Sequence, residues 1–332
     1  MVIATRGSAL ALAQANHIKD KCQAAFPQVP FDLKVLKTTG DRLQTVSMSG
    51  GAGSLPKGLF TKELEVALLG HEADLAVHSL KDLPTELPVG LMLGAVSSRA
   101  DVRDVLIYRG ARAYSSTPER SRTLEGNEGR VFEPGMTLEG LPPGATVATS
   151  STRRGSQLLA VRPDIRVVEI RGNVATRLGK LLEHGELDAT VLAAAGLDRL
   201  RIEIGTGGEL SGGGLPEGFI ASILSVETML PCVGQGALGI EIRADDTRVL
   251  EFCPRLDHPE THRCVLAERA FLRAMGGGCQ SPVGALAEFK DGQLRLRAVS
   301  FQGGKVKGDE IMGPPAAAEA LGQELAARLR PQ

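Results

Sequence analysis

The chain has 332 residues, too many for one small core and enough for two or three domains. Its 38 Lys and Arg nearly balance 39 Asp and Glu, and aromatics make up 3% with no Trp, which excludes a global basic field and base-stacking surfaces for nucleic acid. Five scattered cysteines without a CxxC point to neither a zinc site nor a disulfide framework, no metal is expected, and no apolar run approaches a membrane span.

Val2–Thr5 reads as a strand at the very start of the chain, an abrupt opening that leaves room for a removed targeting segment. Ser8 caps a predicted helix running to about Phe26, with Ala11, Ala15, Ile18, Cys22 and Ala25 along one face. Phe31–Thr39 follows as a strand. A glycine-rich approach, Ser49–Gly58, leads to Lys57-Gly-Leu-Phe60 and has the character of a lid. Thr61 opens a second helix with Glu63 and Glu65 in its first turn, where the helix dipole favours anions. Asp74–His78 is an apolar strand ending in Ser79-Leu-Lys-Asp-Leu-Pro84, and Leu91–Val96 and Asp104–Tyr108 complete a βαβ rhythm that predicts a mainly parallel, doubly wound sheet.

Arg109–Gly144 is rich in Arg, Glu, Gly, Ser and Pro without any period, and reads as a surface insertion acting as a spacer. A second βαβ set then begins, with strands at Thr146–Thr149, Arg166–Ile170 and Asp188–Leu192 and helices at Ser151–Val161 and Asn173–His184. Gly205–Gly218 reads as a glycine-rich loop that misses the dinucleotide fingerprint. Gly236–Arg243 is a strand suited to returning to the first domain. After Leu256 come a long helix, Thr261–Met275, strands within Ala285–Phe301, a turn over Lys305–Pro315 and a last helix near Ala316–Arg330, an α+β domain of its own. No internal repeat is visible in the sequence.

Three strand–turn–helix units carry the strongest electrostatic signal. In Val147-Ala-Thr-Ser-Ser-Thr-Arg-Arg154, hydroxyls, two arginines and the N–H groups of a helix start form an anion site. Ile170-Arg-Gly-Asn-Val-Ala-Thr-Arg177 repeats the design, and Thr5-Arg-Gly-Ser8 is a third case whose plain reading is an N-cap. All lie at carboxyl ends of predicted strands, where open α/β sheets bind ligands. Asp82 is a turn residue or, among these cations, the carboxylate that stabilises a developing cation or acts as acid or base. His78 suits a packed, hydrogen-bonded role better than a catalytic one. Cys279, in Gly276-Gly-Gly-Cys-Gln-Ser-Pro-Val-Gly284, is a thiol without side-chain cover, open to attack or to a covalent group.

Five motifs in order now resemble one family. They are Ser79-Leu-Lys-Asp-Leu-Pro84, Thr149-Ser-Ser-Thr-Arg-Arg154, Arg171-Gly-Asn-Val-Ala-Thr-Arg177, Val233-Gly-Gln-Gly-Ala237 and Ala267-Glu-Arg-Ala270 with Gly277-Gly-Cys-Gln280. Together they are similar to porphobilinogen deaminase, the hydroxymethylbilane synthase family, over nearly the whole chain apart from about Arg109–Gly140.

The resemblance implies two doubly wound, periplasmic-binding-protein-like α/β lobes plus a C-terminal α+β domain. Domain 1 would span 1–100 plus about 236–255, domain 2 101–235 with the insertion, and domain 3 256–332. It implies deaminative head-to-tail condensation of four porphobilinogen units in tetrapyrrole synthesis, followed by hydrolytic release of linear hydroxymethylbilane. The cofactor would be dipyrromethane, joined to Cys279 by a thioether, with Asp82 catalytic. Cofactor- and substrate-binding positions would be Arg6, Ser8, Lys57, Phe60, Ser79, Lys81, Thr149, Ser151, Arg153, Arg154, Arg171, Arg177, Arg199 and Gln235. Partners would be porphobilinogen and the growing oligopyrrole, with no nucleic acid and no membrane. The protein would be a monomer in the cytoplasm, or in a plastid-type stroma if a targeting segment has been removed.

Three departures stand out. Gly276 replaces a Glu the family often has, which would loosen the anchor loop. A second loop lysine is missing near Gly53, and the Arg109–Gly144 stretch is longer than usual. The rival reading is a non-enzymatic small-anion-binding protein of the solute-binding type, which has no use for Cys279. A third makes Cys279 an acyl-transfer nucleophile, which wants a histidine partner that none of the six histidines obviously supplies.

Overall fold

A computed structural model of the chain describes residues 1–40, 60–110, 129–278 and 280–331. Lys57, Cys279, Gly53 with its lid-like approach, and positions 111–128 of the insertion therefore lie outside the described residues. The chain forms two units, Met1–Ala100 with Cys232–Gln332, and Asp101–Pro231.

In the first unit, β1 (Val2–Arg6) leads through α1 (Ala9–Ala25) to β2 (Asp32–Leu36), and α2 (Lys62–Leu69) leads to β3 (Leu75–Ser79) and β4 (Leu91–Val96). The second unit contains β5 (Asp104–Arg109), β6 (Thr146–Ala148), α3 (Thr152–Val161), β7 (Arg166–Val168), α4 (Val174–Glu183), β8 (Ala189–Ala193), α5 (Ala194–Arg199), β9 (Ile202–Ile204), β10 (Leu210–Gly212) and β11 (Phe219–Ile223). The chain re-enters the first unit on β12 (Leu238–Arg243). After two single-turn helices come α6 (Pro259–Ala274), β13 (Val283–Lys290), β14 (Gln293–Ser300), β15 (Lys307–Gly313) and α7 (Ala318–Leu329).

The two five-stranded sheets share one plan that the sequence did not reveal. The first has the order β2-β1-β3-β12-β4 and the second β7-β6-β8-β5-β11, read from the opposite edge. In each, three parallel strands are followed by an antiparallel one, β12 or β5, on which the chain enters the unit. Both sheets are thus doubly wound as expected, but mixed rather than mainly parallel. Side chains alternate between two buried faces, as a sheet covered on both sides requires. Leu75, Val77, Ile240 and Ile242 pack with Ile18 and Cys22 of α1, whereas Ala4 and Ala76 pack with Leu64 and Leu68 of α2.

The C-terminal segment is an antiparallel sheet, β13-β14-β15, whose inner residues Ala285, Leu294 and Leu296 pack with Phe271 of α6 and Leu325 of α7. Here β15 corrects the expected turn over Lys305–Pro315. It is an edge strand with only Ile311 and Gly313 buried, so it carries little of the apolar alternation that reveals a strand. Likewise the β9–β10 hairpin occupies part of the predicted glycine loop. No described helix is long and apolar enough to cross a membrane.

The described flanks of the Arg109–Gly144 stretch are not a surface spacer. Phe132, Leu138 and Leu141 belong to a core cluster with Leu106, Val147 and Leu158. Arg109 is fully buried and donates to the carbonyls of Arg130 and Leu187 at 3.1 and 2.6 Å and to that of Leu181. It collects the carbonyls at the end of α4, a favourable place for a cation.

Candidate active site

The first unit gathers five of the predicted site residues in one cleft. Arg6 ends β1, Ser8 caps α1 by accepting from the Ala11 N–H at 3.3 Å, and Ser79 ends β3, with Asp82 in the 3-10 turn that follows. Arg6, Ser8, Phe60, Ser79 and Asp82 line the cleft together with Gln14 and His78. β1 and β3 are neighbours, and the chain runs out to β2 between them. Their carboxyl ends are therefore the point where strand order reverses, which opens a crevice above the sheet. The Arg6 guanidinium carbon lies 4.1 Å from the centre of the Phe60 ring, a cation–π distance that braces the arginine. Lys81 shares the Asp82 turn but is not among the lining residues, and neither is Gln235.

Gln14 is 2% exposed and donates to Ser79 Oγ at 2.8 Å. A polar residue next to Ala15 on the apolar face of α1 was the signal that sequence reasoning passed over. Behind the cleft wall, His78 Nε2 meets Glu241 Oε2 at 2.9 Å with both side chains buried. This fits the expected packed role of His78. Burial pushes the nearby Glu65 carboxyl upward, and the Glu241 charge adds to the rise.

In the second unit the predicted cations separate into two kinds. Arg153 and Arg154 are 3% and 6% exposed and turn onto Asp104, which is fully buried. Arg153 Nη1 contacts Asp104 Oδ2, and Arg154 Nη2 contacts Oδ1, each at 2.7 Å. Arg153 also donates to the Leu230 carbonyl at 2.8 Å and Arg154 to that of Val191 at 2.9 Å. Burial alone would raise the Asp104 carboxyl, but the two guanidiniums outweigh it and hold it well below the usual range. This is a departure from the expectation of two open forks at the helix start. Two guanidiniums against one carboxylate leave a single net positive charge. Nothing local marks Asp104 as the partner, because it enters from β5.

The other cations are more open. Arg171 is exposed and reaches Glu169 at 3.2 Å, a surface pair of small energetic value. Arg177 donates from Nε to the Gly172 carbonyl at 2.8 Å. Burial draws the half-buried Arg199 guanidinium down to about 10, still charged at neutral pH. Ser151 caps α3 and accepts from the Arg154 N–H, Thr149 accepts from the Ser151 N–H at 3.2 Å, and Ser150 donates to the Ile170 carbonyl at 2.7 Å. The last bond ties the turn after β6 to the one after β7.

Family models match the chain over residues 1–251, as "Porphobilinogen deaminase, dipyromethane cofactor binding domain", and over 262–331, as its "C-terminal domain". The chain belongs to the porphobilinogen deaminase family. A porphobilinogen deaminase of Desulforudis audaxviator is 48% identical over 99% of this chain and 94% of its own length. One of Pelobacter propionicus is 43% identical over 98% and 92%, and one of Thermus thermophilus 42% identical over 98% and 94%. Among solved structures, substrate binding domain 2 of GlnP from Lactococcus lactis aligns at 10% identity and a TM-score of 0.40, over 83% of this chain and 89% of that one. That likeness bears on neither activity nor ligand.

Within this porphobilinogen deaminase family member, Gly276 closes the end of α6. Its φ is +69°, a conformation that glycine adopts without strain. The Gly276 N–H donates to the Arg273 carbonyl at 3.0 Å, and the Gly277 N–H to that of Leu272 at 3.1 Å. These two bonds form a Schellman closure that terminates α6 cleanly.

Proposed function

We propose that this porphobilinogen deaminase family member is a hydroxymethylbilane synthase, a transferase of tetrapyrrole and haem biosynthesis. It links four porphobilinogen units head to tail on a cysteine-bound dipyrromethane primer, then releases linear hydroxymethylbilane by hydrolysis. The observation that carries the reading is the single cleft holding Asp82 beside Arg6 and Ser8. We take the chain to act as a monomer in the cytoplasm.

The residues suit a dipyrromethane, whose acetate and propionate groups call for fixed cations and hydroxyl donors. Arg6, Ser8 and Ser79 supply them around the cleft, and Arg171, Arg177 and Arg199 supply more in the second unit, with Thr149 and Ser151 as hydroxyls. Arg153 and Arg154 contribute the single positive charge that Asp104 leaves uncompensated. Lys57, Phe60, Lys81 and Gln235 complete the proposed binding set. An added Cβ at Gly276 or Gly278 would meet nothing within 4 Å, whereas one at Gly277 would stand 2.9 Å from Leu272 Cδ1, so the described approach to Cys279 is open on either side of one packed glycine. When bound, dipyrromethane supplies a free pyrrole α-carbon as nucleophile.

The chain's own part is electrostatic and positional. Loss of ammonia from the aminomethyl group of porphobilinogen leaves an electron-poor azafulvene cation. The Asp82 carboxylate stabilises that charge at the pyrrole N–H, while the arginines hold the carboxylates and so fix the ring. Incubation with porphobilinogen tests the reading: four ammonia should appear per hydroxymethylbilane. Binding of porphobilinogen without consumption would instead support the anion-binding alternative.

A further inference from the structure

The turn that carries Asp82 is gripped by a helix of the C-terminal segment. Arg269, on α6 and 7% exposed, donates from Nη1 to the Leu83 carbonyl at 3.0 Å and from Nη2 to the Pro84 carbonyl at 2.5 Å. One turn earlier on the same helix face, Val265 packs in a buried cluster with Leu80 and Leu83, the residues that flank the Lys81–Asp82 pair. The turn is thus held from one helix at two points, by apolar contact and by a guanidinium fork.

A third constraint comes from the chain re-entering the unit. Gly234, at φ +72°, lies so close that an added Cβ would stand 3.3 Å from Lys81 N. The Leu80 N–H donates to the Ala237 carbonyl at 3.1 Å. The helix is itself fixed to the same segment. Glu268 is buried, receives the Arg99 fork at 2.6 and 3.0 Å, and accepts from the N–H groups of Gly234 and Ala287, both at 2.8 Å.

We infer that Arg269 is a positioning residue for the reaction: through the Leu83 and Pro84 carbonyls it sets where the Asp82 carboxylate stands. This rests on the catalytic reading of Asp82. A rigid guanidinium presents two donors in a fixed fork to two successive carbonyls, which a single ammonium cannot do. The segment after α6 leads in sequence to Cys279, so one helix joins the aspartate's turn to the chain that bears the proposed anchor.

The test uses Arg269→Lys and Arg269→Met, with kcat and KM for porphobilinogen expressed per cofactor-loaded molecule counted by intact mass. Misplacement of a reacting group by about 1 Å costs up to about 10²-fold. The expected result is therefore a kcat lower by about 10-fold in Arg269→Lys and by about 100-fold in Arg269→Met, with KM within about twofold of wild type. Loading and melting temperature of the lysine variant should stay near wild type. An unchanged kcat per loaded molecule in both variants overturns the inference. So does loss of activity only in proportion to lost folding or loading, or failure of both variants to fold, since each is what a purely structural arginine gives. Asp82→Asn measured alongside separates the two ideas. If it is inactive while both Arg269 variants turn over normally, only the positioning role fails; if it is fully active, the reading of Asp82 fails.

Discussion

Asp82→Asn should keep its cofactor and lose turnover by about 10²- to 10³-fold. Asparagine matches aspartate in size and still accepts a hydrogen bond, so the turn Leu80–Asp82 and its packing on Val265 should persist. What disappears is the negative charge facing a cation that exists only along the reaction path. An interaction made in the transition state and not in the ground state appears in kcat and leaves KM nearly unchanged. Steady-state rates with the loaded fraction determined by mass check this, and a near-normal rate would show that the aspartate has another task.

The second large effect concerns stability. Asp104→Asn leaves two buried guanidiniums facing a neutral amide, and losing one partner of a buried ion pair costs about 3–5 kcal/mol. At roughly 2–4 °C per kcal/mol, thermal melting should fall by about 10 °C. The pH dependence has a definite sign. The Asp104 carboxyl lies below its ordinary value when folded. Its contribution is therefore complete above the unfolded value of about 3.9 and is lost as the pH falls toward the folded one. Wild type should lose stability over that acid range more steeply than Asp104→Asn. Parallel melting curves from pH 7 to 3 would contradict the pairing.

Asp104 also marks where sequence reading stops. Most strands and helices of both sheets are legible because their residues alternate or recur with local periods, whereas β11 and the short α5 were not foreseen. The Ser8 cap on α1 and the Glu63 and Glu65 positions in the first turn of α2 follow from local rules. What the sequence hides is what lies far along the chain. Asp104 and Arg153 are 49 residues apart, and Leu83 and Arg269 are 186 apart. Arg109 reads as the edge of a spacer because the described partners of its guanidinium are main-chain carbonyls, which carry no sequence signal. β15 was missed because Lys307 and the exposed Gly308, Asp309 and Glu310 at a sheet edge have the composition of a turn. The repeated strand plan is invisible for a related reason: it lies in the order of pairing and not in the residues themselves.

Cys279 is proposed to carry the primer on which product is built, and intact mass tests that anchoring most directly. The purified protein should be heavier than its sequence by one dipyrromethane, Cys279→Ser should have the plain sequence mass and no turnover, and brief exposure of wild type to porphobilinogen should add species in pyrrole-sized steps. A wild-type protein that is active at its unmodified mass would rule out Cys279 as the anchor.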